Sequence, residues 1–218
     1  MKVTVIDCGL GNLRSVAMAL AHCGGEVTFA RDAKQLIDAE RIVLPGVGSF
    51  PSAMARLKNQ GFEESIKTFA ATGKPILGIC IGMQVLFDIG EEFKETQGLS
   101  LIPGRVSRIP ITGSDGLLHR IPHIGWSPLC PVKDWTSTIF DGMTKGIEMY
   151  FVHSFTAIPE NINYRLADVD YDGCRISAAV QIGNVYGTQF HPEKSGKVGL
   201  AVLRNFLSLL LAKEKNTM

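Results

Sequence analysis

Short apolar runs that alternate with helically spaced stretches restrict what this chain can fold into. Lys2 to Cys8 (KVTVIDC) is β-branched and stops at Gly9-Leu10-Gly11. Asn12 is a plausible N-cap, and Leu13, Val16, Ala17, Leu20 and Ala21 follow at helical spacing until Gly24-Gly25. Glu26 to Ala30 reads as the next strand, and Asp32 can cap a short helix through Ile37. Arg41 to Leu44 is a third strand, broken by Pro45-Gly46-Val47-Gly48, with helical stretches over Pro51 to Asn59 and Phe62 to Ala71. Pro75 to Ile79 is a fourth strand, and the spacing predicts a helix over Gly82 to Ile89. Strands that are apolar throughout, joined by helices, predict an α/β fold: a mostly parallel central sheet with helices flanking both faces.

The second half has a different texture. Arg105–Ile109, Met149–Phe155, Tyr164–Val169, Ile176–Gln181 and Val185–Phe190 are short extended runs separated by glycine, proline and aspartate. They predict an added antiparallel layer. A helix is expected over Val198 to Lys213, with Leu200, Leu203, Phe206, Leu207, Leu210 and Leu211 on its apolar stripe. No repeat or linker divides the chain, so residues 1–218 are expected to form one domain.

Composition narrows the function classes. Apolar residues are 45% and charged residues 20%, which is ordinary globular usage. The 22 basic and 21 acidic residues leave a charge of +1, so no bulk positive field argues for nucleic acid. The late apolar stretch Leu207 to Ala212 falls far short of the roughly 20 residues a membrane helix needs. The N-terminal run meets Asp7 and then glycines before a signal core could form. A soluble, cytoplasmic protein is expected. Five widely spaced cysteines without a C-x-x-C pair favour neither a disulfide framework nor zinc, and the five histidines lack short ligand spacings; no metal or cofactor is expected.

One cysteine stands apart. Gly78-Ile79-Cys80-Ile81-Gly82 has the G-x-nucleophile-x-G pattern of a strand-to-helix elbow, with cysteine as the nucleophile. Such a turn lifts one side chain above the sheet edge, and a following helix N-terminus favours thiolate. The plainer alternative is a buried cysteine where a strand meets a helix. A thiolate needs an acid/base, and His191-Pro192-Glu193 offers one, because residues i and i+2 of an extended segment point to one side. Here the alternative is a loop histidine beside a solvated glutamate. An oxyanion hole could take the N–H of Ile81 and a donor from Pro45-Gly46-Val47-Gly48; read alone, that loop is a simple turn.

Together, GICIGMQ (78–84) and GTQFHPEKS (187–195) resemble the class I, triad-type glutamine amidotransferases, whose fold is flavodoxin-like. DCGLGNLRSV (7–16), LPGVGSF (44–50), PHIGW (122–126) and YFVHSF (150–155) are similar to the glutaminase subunits of imidazole glycerol phosphate synthases, in matching order over nearly the whole chain. The resemblance implies a triad of Cys80, His191 and Glu193, acting through a glutamyl thioester. It implies an oxyanion hole from Val47, Gly48 and Ile81, and contacts to glutamine from Gly46, Gln84, Glu92 and Ser154. It implies no cofactor, and a heterodimer with a (β/α)8-barrel cyclase subunit that consumes the ammonia. Asn12, Trp126, Tyr150 and Lys194 are the implied partner-facing residues.

This chain departs from the family pattern at Cys8, where tyrosine is more usual, and at Ser127, where asparagine is common after Gly-Trp. Both lie at the implied partner surface, so a related glutaminase that feeds another synthase, such as one amidating a surface sugar, is the alternative. A nucleotide-binding module fits less well, since the glycine fingerprint fails at Arg14. A cysteine peptidase would explain the elbow but not the H-P-E pair with Lys194-Ser195.

Overall fold

The computed structural model describes residues 1–9 and 11–209. Through the first half, β1 (Lys2–Ile6), α1 (Leu13–His22), β2 (Glu26–Ala30), β3 (Ile42–Gly46), α2 (Phe50–Asn59), α3 (Phe62–Ala71) and β4 (Ile76–Cys80) follow the expected alternation. The caps form as their chemistry predicts. Asn12 accepts a hydrogen bond from the Ser15 N–H at 3.2 Å. Asp32 caps the 3₁₀ turn Ala33–Leu36, with Gln35 completing a capping box.

The later elements are α4 (Ile81–Gln84), β5 (Phe87–Gly90), β6 (Thr96–Gln97), β7 (Ile102–Arg108), β8 (His123–Pro131), β9 (Glu148–His153), β10 (Phe155–Pro159), β11 (Arg165–Tyr171), β12 (Cys174–Ile182), β13 (Val185–Thr188) and α5 (Gly196–Ser208). Among the described residues one sheet runs in the order β2-β1-β3-β4-β13-β12-β11-β8-β9. From β2 to β13 neighbouring strands are parallel; from β13 to β9 they are antiparallel. The antiparallel strands therefore extend the parallel sheet, and a smaller mixed sheet, β10-β7-β5-β6, forms apart from it, with β5 and β7 parallel and its other neighbours antiparallel. Every residue of β3 and β4 is buried, which explains their uninterrupted apolar sequence. Helix α1 packs beside α5, and α2 beside α3.

Two expectations are corrected. The helix predicted over Gly82 to Ile89 is a single turn, Ile81–Gln84, followed by strand β5. Val85, Leu86 and Phe87 are all buried, so no polar face marks a helical period there. Their backbone pairs elsewhere: the Leu86 carbonyl accepts from the Leu101 and Ile102 N–H groups, and Phe87 is register partner to Ile102. The run Met149–Phe155 is two strands, which part at Ser154 and enter different sheets. The last helix ends at Ser208, and the expected positions Leu210, Leu211 and Lys213 lie outside the described residues.

Candidate active site

Parallel strands β3, β4 and β13 lie side by side, so the segments leaving their C-terminal ends converge on one edge of the sheet. Cys80 stands at the end of β4 with φ 56° and ψ −113°. A positive φ at a side-chain-bearing residue is strained, and it is the conformation an elbow imposes. The flanking glycines are sterically required. A Cβ on Gly82 would lie 1.7 Å from the Leu44 carbonyl oxygen, and one on Gly78 2.4 Å from that of Gly82. Because α4 is a single turn, the help expected from a full helix dipole shrinks to the first N–H groups of that turn.

His191 follows β13 and is clamped by its backbone. Its N–H donates to the Tyr150 carbonyl at 3.0 Å, and its carbonyl accepts from the Ser195 hydroxyl at 2.7 Å. Its Nδ1 lies 2.8 Å from Glu193 Oε1, so this nitrogen carries the proton that the carboxylate accepts. The other nitrogen is left for Cys80, with which His191 also hydrogen-bonds. Burial alone would push the imidazole down, but the hydrogen bonds to Cys80 and Glu193 and the charges of both lift it to about 9. An imidazolium held against sulfur in this way fits a thiol that reacts as thiolate.

A cavity of about 370 Å³ opens over this pair, lined by Val47, Gly48, Cys80, Ile81, Gln84, Glu92, Ser154 and His191. Over residues 4–209 the sequence matches the glutamine amidotransferase class-I family. The chain belongs to that family. It is 47% identical to imidazole glycerol phosphate synthase subunit HisH 1 of Legionella pneumophila (strain Paris), over 95% of this chain and 99% of that protein. It is 42% identical to subunit HisH of the same synthase from Geobacillus sp. (strain WCH70), over 97% and 98%. Its fold is similar to a chain in the structure of PurLQS from Thermotoga maritima, with a TM-score of 0.72 at 25% identity, over 94% of this chain and 97% of that one.

Within this amidotransferase the remaining expected residues fall into three groups. Val47 (45% exposed) and Gly48 (φ 105°) form an open lip, and Ile81 begins the turn below it. Gly46 lies behind that lip, paired with Cys80 and so close to Ile81 that a Cβ would stand 3.2 Å from the Ile81 Cβ. Gln84 is buried: its Nε2 donates to the Phe155 carbonyl at 3.2 Å and to Gln189 Oε1 at 3.0 Å, while its Oε1 is unpartnered. Glu92 has a structural task as well, because its Oε2 accepts from Phe50 N at 2.7 Å and so caps α2 directly beyond the lip. Asn12 and Lys194 border a small gap beside Gly46, Val47 and Glu193. Trp126 is 52% exposed and meets Tyr150 edge-on, ring centres 6.0 Å apart.

Pro122, Val152, His153 and Phe155 also line the cavity, and the Gln189 amide reaches to 3.8 Å from the Cys80 sulfur. Sequence reasoning assigned no site role to these residues. The usable signal was the break at Ser154, since a strand that changes sheets turns its ends into the space between them. Among the described residues no group of three or more His, Cys, Asp or Glu is placed to hold a metal ion.

Proposed function

We propose that this amidotransferase is the glutaminase subunit of an imidazole glycerol phosphate synthase, in histidine biosynthesis. It hydrolyses glutamine to glutamate and passes the ammonia to a cyclase subunit built as a (β/α)8 barrel. The observation that carries the chemistry is the Cys80 elbow beside a histidine whose far nitrogen is fixed 2.8 Å from Glu193. The likeness to the HisH subunits carries the pathway.

The Cys80 thiolate attacks the side-chain amide carbon of glutamine. Negative charge moves to the carbonyl oxygen, where the N–H of Ile81 and one from the Val47–Gly48 lip receive it. His191 gives its proton to the amide nitrogen, the C–N bond breaks, and ammonia leaves a glutamyl thioester. Water then attacks the thioester while His191 takes its proton. The C–S bond breaks, glutamate departs, and the thiolate–imidazolium pair is restored. Glu193 holds the imidazole in the required orientation. Gln84, Glu92 and Ser154 hold the substrate, with Gly46 shaping the floor.

Asn12, Trp126, Tyr150 and Lys194 form the docking face for the cyclase subunit in a heterodimer. We read the whole chain as one domain acting in the cytoplasm; no described helix is long and apolar enough to cross a membrane. The test is glutamate release with and without the cyclase subunit. Release stimulated by the cyclase and abolished by Cys80→Ala is the expected result. Release that survives Cys80→Ala refutes the chemistry, and a pull-down that recovers another synthase instead of the cyclase refutes the pathway.

A further inference from the structure

Ser195 stands at the N-cap of α5, yet its hydroxyl makes no capping bond to that helix. A serine there ordinarily accepts from an N–H of the first helical turn. Here the side chain is buried and its hydroxyl is committed elsewhere: Oγ lies 2.7 Å from the His191 carbonyl and 3.0 Å from the Tyr150 nitrogen. Both directions are fixed. A carbonyl only accepts, so Oγ donates to His191; a backbone N–H only donates, so Oγ accepts from Tyr150. The Tyr150 carbonyl in turn accepts from the His191 N–H at 3.0 Å. Tyr150 lies on β9, the last strand in its sheet order, where an outer edge would otherwise be open.

The bonds of this turn fall into two sets. The Lys194 N–H donates to the His191 carbonyl at 3.0 Å, and the Ser195 N–H to that of Pro192 at 3.1 Å. These lie within the turn and make it one unit, but they do not place it against its surroundings. Two bonds reach outside it to β9: His191 N–H to the Tyr150 carbonyl, and Tyr150 N–H to Ser195 Oγ. They grip the two ends of the turn, at positions four residues apart. One such bond alone is a pivot; two fix the rotation of the turn against β9. On the other side α5 packs directly on the turn, since a Cβ on Gly199 would stand 2.0 Å from the Pro192 carbonyl oxygen and 2.7 Å from the Ser195 Cβ. The turn carries both His191 and Glu193, whereas Cys80 belongs to β4. A rotation of the turn therefore moves the imidazole against the sulfur and takes Glu193 along with it.

We propose that Ser195 is a positioning residue for the base: its hydroxyl ties the His191 turn to β9 through Tyr150 and so sets the imidazole against the Cys80 sulfur. The inference rests on the glutaminase reading only in taking Cys80 as nucleophile and His191 as base. It also accounts for the missing cap on α5, because a hydroxyl that already serves the His191 carbonyl and the Tyr150 N–H is not free for its own helix. The groups that face the His191 ring are Cys80, Glu193 and the buried His153, whose Nε2 lies 3.0 Å from His123 Nδ1. Ser195 bonds to the main chain of His191 and acts on the ring through it.

The test uses the full-length chain without glutamine or partner. Iodoacetamide alkylation of Cys80 is followed from about pH 5 to about pH 10 by mass spectrometry of its peptide, and a urea unfolding midpoint is measured for each variant. Ser195→Ala is expected to slow alkylation at neutral pH about three- to tenfold and to move the profile to higher pH, because a thiol whose imidazolium is displaced gives up its proton less readily. Ser195→Thr keeps the hydroxyl and is expected to return the profile to that of wild type. Lower stability with an unchanged profile in folded Ser195→Ala overturns the proposal, since a serine that only holds the fold together would give that result. Should Ser195→Ala fail to fold, amide exchange in the wild-type chain decides. A Tyr150 N–H protected like the amides that pair β9 with β8 supports the tie, and one that exchanges like an open strand edge overturns it. Alkylation needs neither glutamine nor the cyclase, so glutamate release by the wild-type complex tests the glutaminase reading separately.

Discussion

Lowering the pH should reveal the buried histidine pair as a defined loss of stability. His123 is 2% exposed and His153 6%, and both titrate in the folded protein well below the 6.5 of a free histidine, at about 4 and about 3. The causes are physical. Burial disfavours the charged form of each ring, and around His123 the attraction of Asp172 only partly offsets burial and the repulsion of His119. Around His153 the Phe155 carbonyl favours the charged form, while His123 and His191 oppose it. The folded protein thus binds fewer protons than the unfolded chain below pH 6.5. The stabilisation is fully present above that pH and is lost as pH falls towards the folded values.

Between about pH 8 and pH 5 each ring should cost about 2 kcal/mol of unfolding free energy. His191 acts the other way. Raised to about 9, it is already protonated in the fold, so acidification adds about 2 kcal/mol to its contribution over the same range. Raw acid stability therefore mixes opposing contributions, and the informative quantity is a difference. Urea unfolding of wild type and His123→Phe at both pH values measures that difference. The wild type should lose about 2 kcal/mol more than the variant. Parallel losses in the two proteins would refute the assignment of His123 as a buried neutral imidazole.

Three further outcomes are expected. Gly82→Ala places a methyl 1.7 Å from the Leu44 carbonyl oxygen, and should cost more than about 3 kcal/mol in chemical denaturation or prevent recovery of folded protein. Glu92→Ala leaves Phe50 N without its acceptor and should lower stability by about 1–2 kcal/mol, whereas Glu92→Gln keeps an acceptor and should instead raise KM for glutamine. Glu193→Gln can still accept from His191 Nδ1 but removes the charge beside it; kcat for glutamate release in the complex should fall at least about tenfold, with folding retained.

Much of this protein is legible along the chain because its determinants are local. The alternating runs mark the strands of the parallel half, for a strand covered on both faces must be apolar throughout, as β3 and β4 are. Asn12 and Asp32 identify helix starts because a cap bonds to residues two or three positions away. The elbow glycines announce Cys80, since close backbone approach excludes any side chain there. Glu193 is found from His191 for the same reason of nearness.

Tertiary structure decided the rest. Whether 82–89 is helix or strand depended on which backbone groups lay opposite: the Leu101 and Ile102 N–H groups take the Leu86 carbonyl, and β7 pairs with β5. Glu92 became a cap for Phe50 across a separation of 42 residues. His123, His153, Gln84 and Gln189 are scattered through the sequence, and only the pairing of β8 with β9 and the sheet change at Ser154 bring them into one hydrogen-bonded line. A local signal needs only neighbours in the chain, whereas the His123–His153 and Gln84–Gln189 bonds join residues 30 and 105 positions apart, which no single stretch of sequence brings together.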